Sequence, residues 1–255
     1  MLRGTNKNAL EPLRDGPVYP GHRILAMFPF YNEEGKLSRL AARMSSGQVD
    51  EFLGVNDGSS DNGPSDLNSL GINFVSQPRQ GVGSCIKTAI QYARKNGFDI
   101  LVIMAGNAKD DPAEIPDLLR PILEGHADYV QGSRYLPGGA RPNLPLFRDL
   151  AIRALSIFFR IYTKKKCTDL TNGFRAYRLD ILDNPRININ QSWLDGYEFE
   201  YYVHWKVVEC GYRVAEVPVT KTYPSGGVPY TKVMPFLGWW HMLRPFFLLS
   251  LRLRK

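Results

Sequence analysis

The stretch RILAMFPFYNEEG, residues 23–35, is a short apolar run that ends in polar residues. Such a run is typical of a buried β-strand whose carboxyl end leads into a loop. VDEFLGVND at 49–57 and DILVIMAGNAKDDP at 99–112 repeat this form. A segment with helical spacing lies between them, GVGSCIKTAIQYARKNG at 81–97, which begins and ends with glycine. The alternation predicts an α/β fold with a mostly parallel sheet flanked by helices.

Polar, turn-forming residues follow four of the predicted strands. In open α/β sheets, ligands bind beyond the carboxyl ends of the strands. Because these ends lie along one edge, the polar segments predict a binding site there. The segments are Tyr31-Asn32-Glu33, Asn56-Asp57-Gly58, Gly106-Asn107 and Gly132-Ser133-Arg134.

The composition excludes several classes of protein. The chain has 255 residues, of which 44% are hydrophobic and 12% aromatic, and this excludes general disorder. The three cysteines have no CxxC or Cys/His spacing, so a disulfide scaffold and a structural zinc site are not expected. No apolar run reaches the roughly 18 to 20 residues of a membrane-spanning helix. Residues 1–22 lack the apolar core of a signal peptide, which predicts a cytoplasmic protein.

The net charge of +7 is concentrated in the second half of the chain. Residues 141–178 contain nine Lys or Arg and two acidic residues, and residues 228–255 contain five Lys or Arg and no acidic residue. This distribution favours phosphate groups or an anionic membrane surface as partners. No recognised nucleic-acid-binding motif accompanies the charge, so nucleic acid is not predicted as a partner.

Several motifs occur in an order that resembles glycosyltransferase family 2. They are PFYNEE, VNDGSSDNG, a glycine-rich helix start, VIMAGNAKDDPAEIP, GSRYLPGG and DLTNGFRAYR. The likeness is closest to the dolichyl- or polyprenyl-phosphate mannose synthase and glucosyltransferase branch, and it covers roughly residues 23 to 232. It implies a GT-A (Rossmann-like) fold, a nucleotide-sugar donor and an inverting transfer. We therefore divide the chain into a tail (1–22), a glycosyltransferase domain (23–227) and a basic amphipathic C-terminal segment (228–255).

The resemblance also implies roles for individual residues. Positions matching the nucleotide-sugar-binding loops are Pro29, Tyr31, Glu33, Val55, Asp57 and Asn107. Arg134 and Arg148 match arginines that engage phosphates. The acceptor-side loop of the family matches 168–178, which includes Asp169 and Arg175. Lys221 and Lys232 lie near the place where such enzymes keep a basic residue on a flexible loop over the site. The polar, glycine-containing sequence of 168–178 predicts a loop or an edge strand.

One departure from the family concerns the metal. The family usually has an Asp-x-Asp pair that binds Mg²⁺ or Mn²⁺, where this chain has Ala105-Gly106-Asn107. Asn107 with Asp110 or Asp111 could still hold a metal. Alternatively, Lys109 with Arg134 and Arg148 replaces the metal by fixed positive charge, or the protein binds nucleotide sugars without transferring them. Retained transfer ranks first, because the arginines and the acceptor loop are present.

The acceptor decides which residues the reaction needs. A lipid phosphate is already ionised at neutral pH, so no general base is required and the arginines position the reactants. A hydroxyl acceptor must lose a proton to a carboxylate. Asp169 is the first candidate for that base, followed by Glu198 or Glu200, and Glu200 is expected on a solvated helix face.

The acceptor also bears on membrane association. The segments 144–162 and 236–255 interleave apolar and aromatic residues with cations, as in helices that lie in a membrane surface. Packing on the protein's own sheet, or between copies in a homo-oligomer, is the alternative. The leading hypothesis is transfer to polyprenyl phosphate at the cytoplasmic face of a membrane, and the alternative acceptor is a soluble saccharide or hydroxyl compound.

Overall fold

A computed structural model describes residues 17–224, 244–245 and 248–250. Its strands are β1 (Ile24–Phe30), β2 (Glu51–Asp57), β3 (Asn73–Gln77), β4 (Ile100–Ile103), β5 (Tyr129–Ser133), β6 (Arg175–Arg178) and β7 (Val214–Pro218). Its α-helices include α1 (Lys36–Ala41), α2 (Gly63–Ser69), α3 (Val82–Lys95), α4 (Ile115–Leu123), α5 (Leu146–Thr163) and α6 (Glu198–Glu209). Most of the predicted C-terminal segment, including Lys232, lies outside the described residues, and the predicted domain divisions stay predictions.

The seven strands form one mixed sheet in the order β3-β2-β1-β4-β6-β5-β7. Every pairing is parallel except those of β6, which runs antiparallel to β4 and to β5. The chain moves outward from β1 to β3 and then returns to place β4 on the other side of β1. This reversal creates a crevice at the carboxyl ends of β1 and β4, where α/β sheets bind ligands. The predicted α/β fold with a mostly parallel sheet is confirmed.

Hydrophobic residues cover both faces of the sheet. On β1, Leu25 and Met27 pack into one core, while Ala26 and Phe28 pack into the other. The first core includes residues of α3 and α6, and the second includes residues of α1 and α4. Because both faces are buried, the central strands are continuously apolar rather than alternating. The core thereby fixes the strand ends from which the polar loops project.

The position of β6 differs from the prediction of a loop or an edge strand for 168–178. The strand lies between β4 and β5 in the sheet. Ala176 packs into one core and Tyr177 into the other, so the short strand is buried on both faces. Arg175 is 2% exposed, and its guanidinium donates to main-chain carbonyls of Leu170, Asn172 and Glu200. These bonds satisfy the guanidinium donors inside the protein, which allows a polar segment to form an interior strand.

Within the described residues, no helix is long and apolar enough to cross a membrane.

Candidate active site

The loops after β1 and β2 are hydrogen-bonded to each other at the carboxyl edge of the sheet. The amide of Asn32 donates to the Ser59 hydroxyl at 3.1 Å, and Asn32 Oδ1 accepts from the Ser60 amide at 2.9 Å. Asn32 has a φ of 49°, a left-handed conformation that asparagine tolerates better than most residues. The two loops therefore form one wall of the crevice.

Asp57, at the end of β2, holds the start of α3. Its carboxylate accepts the main-chain N–H groups of Gln80 and Gly81, each at 2.9 Å, and Gln77 Nε2 at 3.1 Å. Gly81 has a φ of +112°, and a Cβ there would lie 2.6 Å from the carbonyl oxygen of Asp195. Asp57 is 6% exposed, so in this structure it organises the glycine-rich turn. Its nucleotide-binding role stays a prediction.

The other predicted nucleotide-binding residues lie on the same wall. The guanidinium of Arg79 lies over the Tyr31 ring, 3.5 Å from its centroid, in a cation–π contact. Glu33 is buried and forms an ion pair with Lys36. Pro29 and Val55 are register partners on β1 and β2, and the Val55 side chain is fully buried in the core. Of these residues, Tyr31 presents an aromatic ring at the crevice.

A buried ion pair joins the end of β5 to the loop before β6. Arg134 donates to both carboxylate oxygens of Asp169, through Nε at 2.6 Å and through a terminal nitrogen at 2.7 Å. The two side chains are 2% and 0% exposed. The remaining donors of Arg134 reach Thr171 and the hydroxyl of Tyr223. The geometry makes Asp169 the group that orients Arg134, and both oxygens of the carboxylate are engaged.

Lys109 and Arg148 lie near the Tyr223 ring, and Lys221 lies close enough to Lys109 to affect its pKa; we call these three cations the basic cluster. The charged groups of Lys109 and Arg148 lie 5.3 and 6.0 Å from the ring centroid. Lys221 Nζ donates to Asp110 at 2.6 Å and to Asn172 Oδ1 at 3.0 Å. Burial, followed by the charges of Lys221 and Arg148, lowers the pKa of Lys109 to about 8. The cluster is therefore a region of strong positive potential.

The loop after β4 carries the predicted metal ligands. Gly106 packs so closely against the Pro29 carbonyl that a side chain there would collide with it. Asn107 Oδ1 accepts the Lys109 amide at 3.4 Å. Asp110 accepts the Ala105 amide at 2.8 Å as well as Lys221. Asp111 accepts the Ala113 amide at the start of a short 3₁₀ turn. The side-chain oxygens of this loop thus accept hydrogen bonds within the turn or belong to an ion pair.

The comparisons with known proteins are decisive for the family. Residues 26–184 match the family described as glycosyl transferase family 2. The chain belongs to glycosyltransferase family 2. Polyprenol monophosphomannose synthase of Mycolicibacterium smegmatis is 30% identical over 220 residues, covering 83% of this chain and 82% of the relative. Undecaprenyl-phosphate mannosyltransferase of Micrococcus luteus is 28% identical, covering 85% and 93%. The chain is a glycosyltransferase, and the predicted family is confirmed.

Solved structures confirm the GT-A fold. Glucosyl-3-phosphoglycerate synthase of Mycobacterium tuberculosis, in complex with phosphoglyceric acid, has a TM-score of 0.67 at 18% identity, covering 88% of this chain and 80% of that one. The same synthase in complex with Mn²⁺ and UDP-glucose has a TM-score of 0.66 at 18% identity, covering 88% and 79%. At 18% identity, this similarity supports the fold alone.

Two predictions for acidic and basic residues of this glycosyltransferase need revision. Arg175, predicted to bind the acceptor, donates from within the protein to the groups named above and to the Tyr129 hydroxyl. Glu200, expected on a solvated helix face, has a side chain only 14% exposed, and its carboxylate lies 3.6 Å from Arg175. The reason is that α6 is almost entirely buried, so its acidic first turn faces the protein. Glu198 is also buried and pairs with Arg244 at 3.1 Å.

Sequence reasoning missed two aromatic or basic residues of the site. Tyr223 lies two positions after Lys221 in an alternating segment, so the strand period could have placed both side chains on one face. Arg79 precedes the glycine-rich start of α3, and no local pattern pairs it with Tyr31, 48 residues earlier. The contact depends on the packing of two loops.

Proposed function

We propose that this glycosyltransferase moves a sugar from a nucleoside-diphosphate donor to a polyprenyl phosphate, with inversion at the anomeric carbon. The observation that carries the proposal is the placement of α5. The helix begins beside the basic cluster, to which it contributes Arg148, and then exposes apolar side chains along its length. A phosphate-binding region next to an apolar surface suits an acceptor with a phosphate head and a lipid chain. The two curated relatives, whose names specify polyprenol and undecaprenyl phosphate, support it.

The proposed reaction is an in-line displacement. An oxygen of the acceptor phosphate attacks the anomeric carbon, the bond from that carbon to the diphosphate breaks, and the nucleoside diphosphate leaves with the electron pair. Because a phosphate monoester is ionised at neutral pH, the attack needs no general base. The protein supplies position and positive charge, which stabilise the departing anion.

The residues divide into two groups in this proposal. Tyr31 and Arg79 contact the nucleoside, and Asp57 supports them by fixing the neighbouring turn. Arg134, oriented by Asp169 and bonded to the Tyr223 hydroxyl, contributes buried positive charge next to the basic cluster. The basic cluster lies where the acceptor phosphate and the departing diphosphate meet at the anomeric carbon, and it binds oxygens of both. Asp169 is then a positioning residue, since its carboxylate oxygens are both bonded to Arg134.

The apolar face of α5 is proposed to contact a bilayer containing anionic lipids. Leu146, Phe147 and Ile161 are each more than 70% exposed. Lys164, Lys165 and Lys166 follow directly at the helix end and are also exposed. Apolar side chains flanked by lysines are typical of helices that lie in a membrane interface. The long axis of α5 would then lie along the surface that holds the acceptor.

The acceptor is tested with the full chain and vesicles of anionic phospholipid, with and without polyprenyl phosphate. A panel of radiolabelled nucleotide sugars is supplied, and the sugar that enters the lipid phase is measured. We expect labelled lipid only when polyprenyl phosphate is present. Label found solely on added soluble saccharides or phosphoglycerate would contradict the lipid acceptor.

The membrane contact is tested by flotation of the protein with the same vesicles. Ile161→Ser should weaken binding by about tenfold, because an inserted apolar side chain contributes about 1.5 kcal/mol or more. Leu70→Ser, at an exposed leucine outside α5, is the matched control and should float like the unchanged protein. If both variants float to the same extent as the unchanged protein, the apolar face of α5 is not the membrane contact.

A second candidate is transfer to a soluble hydroxyl compound, and the position of Glu200 favours it. Among the described residues, Glu200 Oε1 is buried without a hydrogen-bond partner, and the nearest cation is the Arg175 guanidinium at 3.6 Å. Such a carboxylate is suited to accept a proton from a hydroxyl. Glu200→Gln separates the two acceptors, since it should abolish turnover of a hydroxyl acceptor while a phosphate acceptor keeps most of its rate.

A further inference from the structure

The loop after β4 does not offer the donors that a divalent cation needs. The synthase of M. tuberculosis is solved with Mn²⁺ and UDP and with Mg²⁺ and UDP. Mg²⁺ and Mn²⁺ prefer oxygen ligands in octahedral geometry, with one or two of them from protein carboxylates. At the corresponding loop of this chain, Ala105 has no oxygen donor in its side chain and Asn107 is neutral. The nearest carboxylates in sequence are those of Asp110 and Asp111.

Neither of these carboxylates is placed as a metal ligand. Asp110 is fully buried, and its two oxygens accept the Lys221 ammonium and the Ala105 amide. Asp111 accepts the Ala113 amide with one oxygen, and its other oxygen lies 3.6 Å from Arg43. A divalent cation at a diphosphate is held by one or two protein carboxylates, and both carboxylates near this loop are already engaged. The residues present do not fit the divalent cation.

The Lys221 ammonium is held by two oxygen ligands from different parts of the chain. It lies between a carboxylate oxygen of Asp110 and the amide oxygen of Asn172, and its side chain is 12% exposed. The loop that carries it is fixed at its neighbours, because the Thr222 amide donates to the Lys109 carbonyl and the Lys221 amide to the Ala140 carbonyl, each at 3.0 Å. The position of the charge is therefore set before any ligand binds.

The net formal charge of the region equals that of one divalent cation. Lys221, Lys109 and Arg148 with Asp110 carry a net charge of +2, which equals the charge of one Mg²⁺. The diphosphate of a nucleotide sugar gains negative charge when it leaves, and that charge must be stabilised in the transition state. Preorganised cations in a partly buried site do this without rearrangement of solvent.

We propose that Lys221, held by Asp110 and Asn172, replaces the divalent cation and acts with Lys109 and Arg148 to bind and stabilise the departing diphosphate. The inference rests on the proposed function in that the diphosphate is a product of sugar transfer. The bond to the anomeric carbon breaks with its electron pair moving to the diphosphate oxygen, and the three cations bind that anion. No proton transfer or redox step is involved.

The test measures binding of nucleoside diphosphates to the full chain by calorimetry. Uridine, guanosine and thymidine diphosphates are titrated in EDTA and again with Mn²⁺, and Mn²⁺ is titrated alone. We expect one or more of them to bind with the same affinity in both buffers, and Mn²⁺ alone to give no binding. Binding that is lost in EDTA and restored by Mn²⁺ would overturn the proposal, as would binding of none of them in either buffer.

Variants assign the role to Lys221. In EDTA, Lys221→Ala should lower diphosphate affinity by about tenfold or more, the scale of a charge-assisted hydrogen bond. Because this change leaves Asp110 buried and unpaired, the double variant Lys221→Met with Asp110→Asn removes both charges and should bind equally weakly while remaining folded. Lys95→Ala, at an exposed lysine on α3, changes the net charge equally and should bind like the unchanged protein. Unchanged affinity in the double variant would refute the assignment.

The result of this test can be distinguished from a failure of the proposed function. Metal-independent diphosphate binding without transfer to polyprenyl phosphate would refute the acceptor and leave the cation replacement standing. Transfer to polyprenyl phosphate that requires Mn²⁺ would support the acceptor and refute the cation replacement.

Discussion

The two walls of the crevice are built with different interactions. On the side proposed to bind the nucleotide, the nucleotide wall, the loops after β1 and β2 are held by side chains that bond to main-chain amides, as Asp57 does with Gln80 and Gly81. On the side proposed to bind phosphate, the phosphate wall, carboxylates bond to cationic side chains, as Asp169 does with Arg134 and Asp110 with Lys221. The first arrangement fixes the shape of a loop, whereas the second fixes the position of positive charge. Binding a nucleoside requires a loop of fixed shape, whereas binding a diphosphate requires positive charge at a fixed position.

The largest effect is expected when the buried Arg134–Asp169 pair is broken. Asp169→Asn leaves a buried guanidinium without its counter-charge, which should lower the free energy of unfolding by about 3–5 kcal/mol in urea denaturation. Asp117→Asn breaks an exposed pair with Arg120 and should cost less than about 1 kcal/mol. If the two variants lose equal stability, the phosphate wall is not held by this ion pair.

A smaller effect is expected on the nucleotide wall. Asp57→Asn replaces one acceptor oxygen with an N–H₂ group that faces main-chain amides, so we expect a loss of about 1–3 kcal/mol in unfolding free energy. Nucleoside diphosphate affinity should fall with it, because the turn at Gly81 loosens. Asp180→Asn, in an exposed pair with Arg178, serves as the control. A stable Asp57→Asn variant with lost affinity would instead indicate direct contact of Asp57 with the nucleoside.

The two walls also differ in how far the sequence could predict them. On the nucleotide wall, Tyr31 directly follows β1 and Asp57 is the last residue of β2, so their place at the sheet edge is a local property. The phosphate wall joins residues distant in sequence: Lys221 and Asp110 are 111 positions apart, and Arg134 and Asp169 are 35 apart. Motif matching named these residues as candidates, but their pairing depends on how β5, β6 and the segment after β7 assemble.

The pH dependence of diphosphate binding should separate the walls further. The pKa of Lys109 is lowered to about 8 by burial and by neighbouring cations, so its ammonium is largely present at pH 7 and largely lost at pH 9. A bound diphosphate favours the charged form, and affinity should therefore fall by up to about tenfold across this interval. Calorimetry at both pH values measures the change. Lys109→Met should remove it, and a pH dependence that persists in this variant would assign the titration to another group.

The smallest effect concerns the cation–π contact on the nucleotide wall. Arg79 is exposed, and such contacts contribute about 0.5–1 kcal/mol, so Arg79→Ala should lower nucleoside diphosphate affinity by about twofold to fivefold. Arg79→Lys keeps the charge and should lose less. The comparison that decides the role uses free inorganic pyrophosphate as a second ligand. If Arg79 orders the Tyr31 ring for the base, pyrophosphate affinity is unchanged in Arg79→Ala. An equal loss for both ligands would place Arg79 with the cations that bind phosphate, and the division between the two walls would no longer hold at this residue.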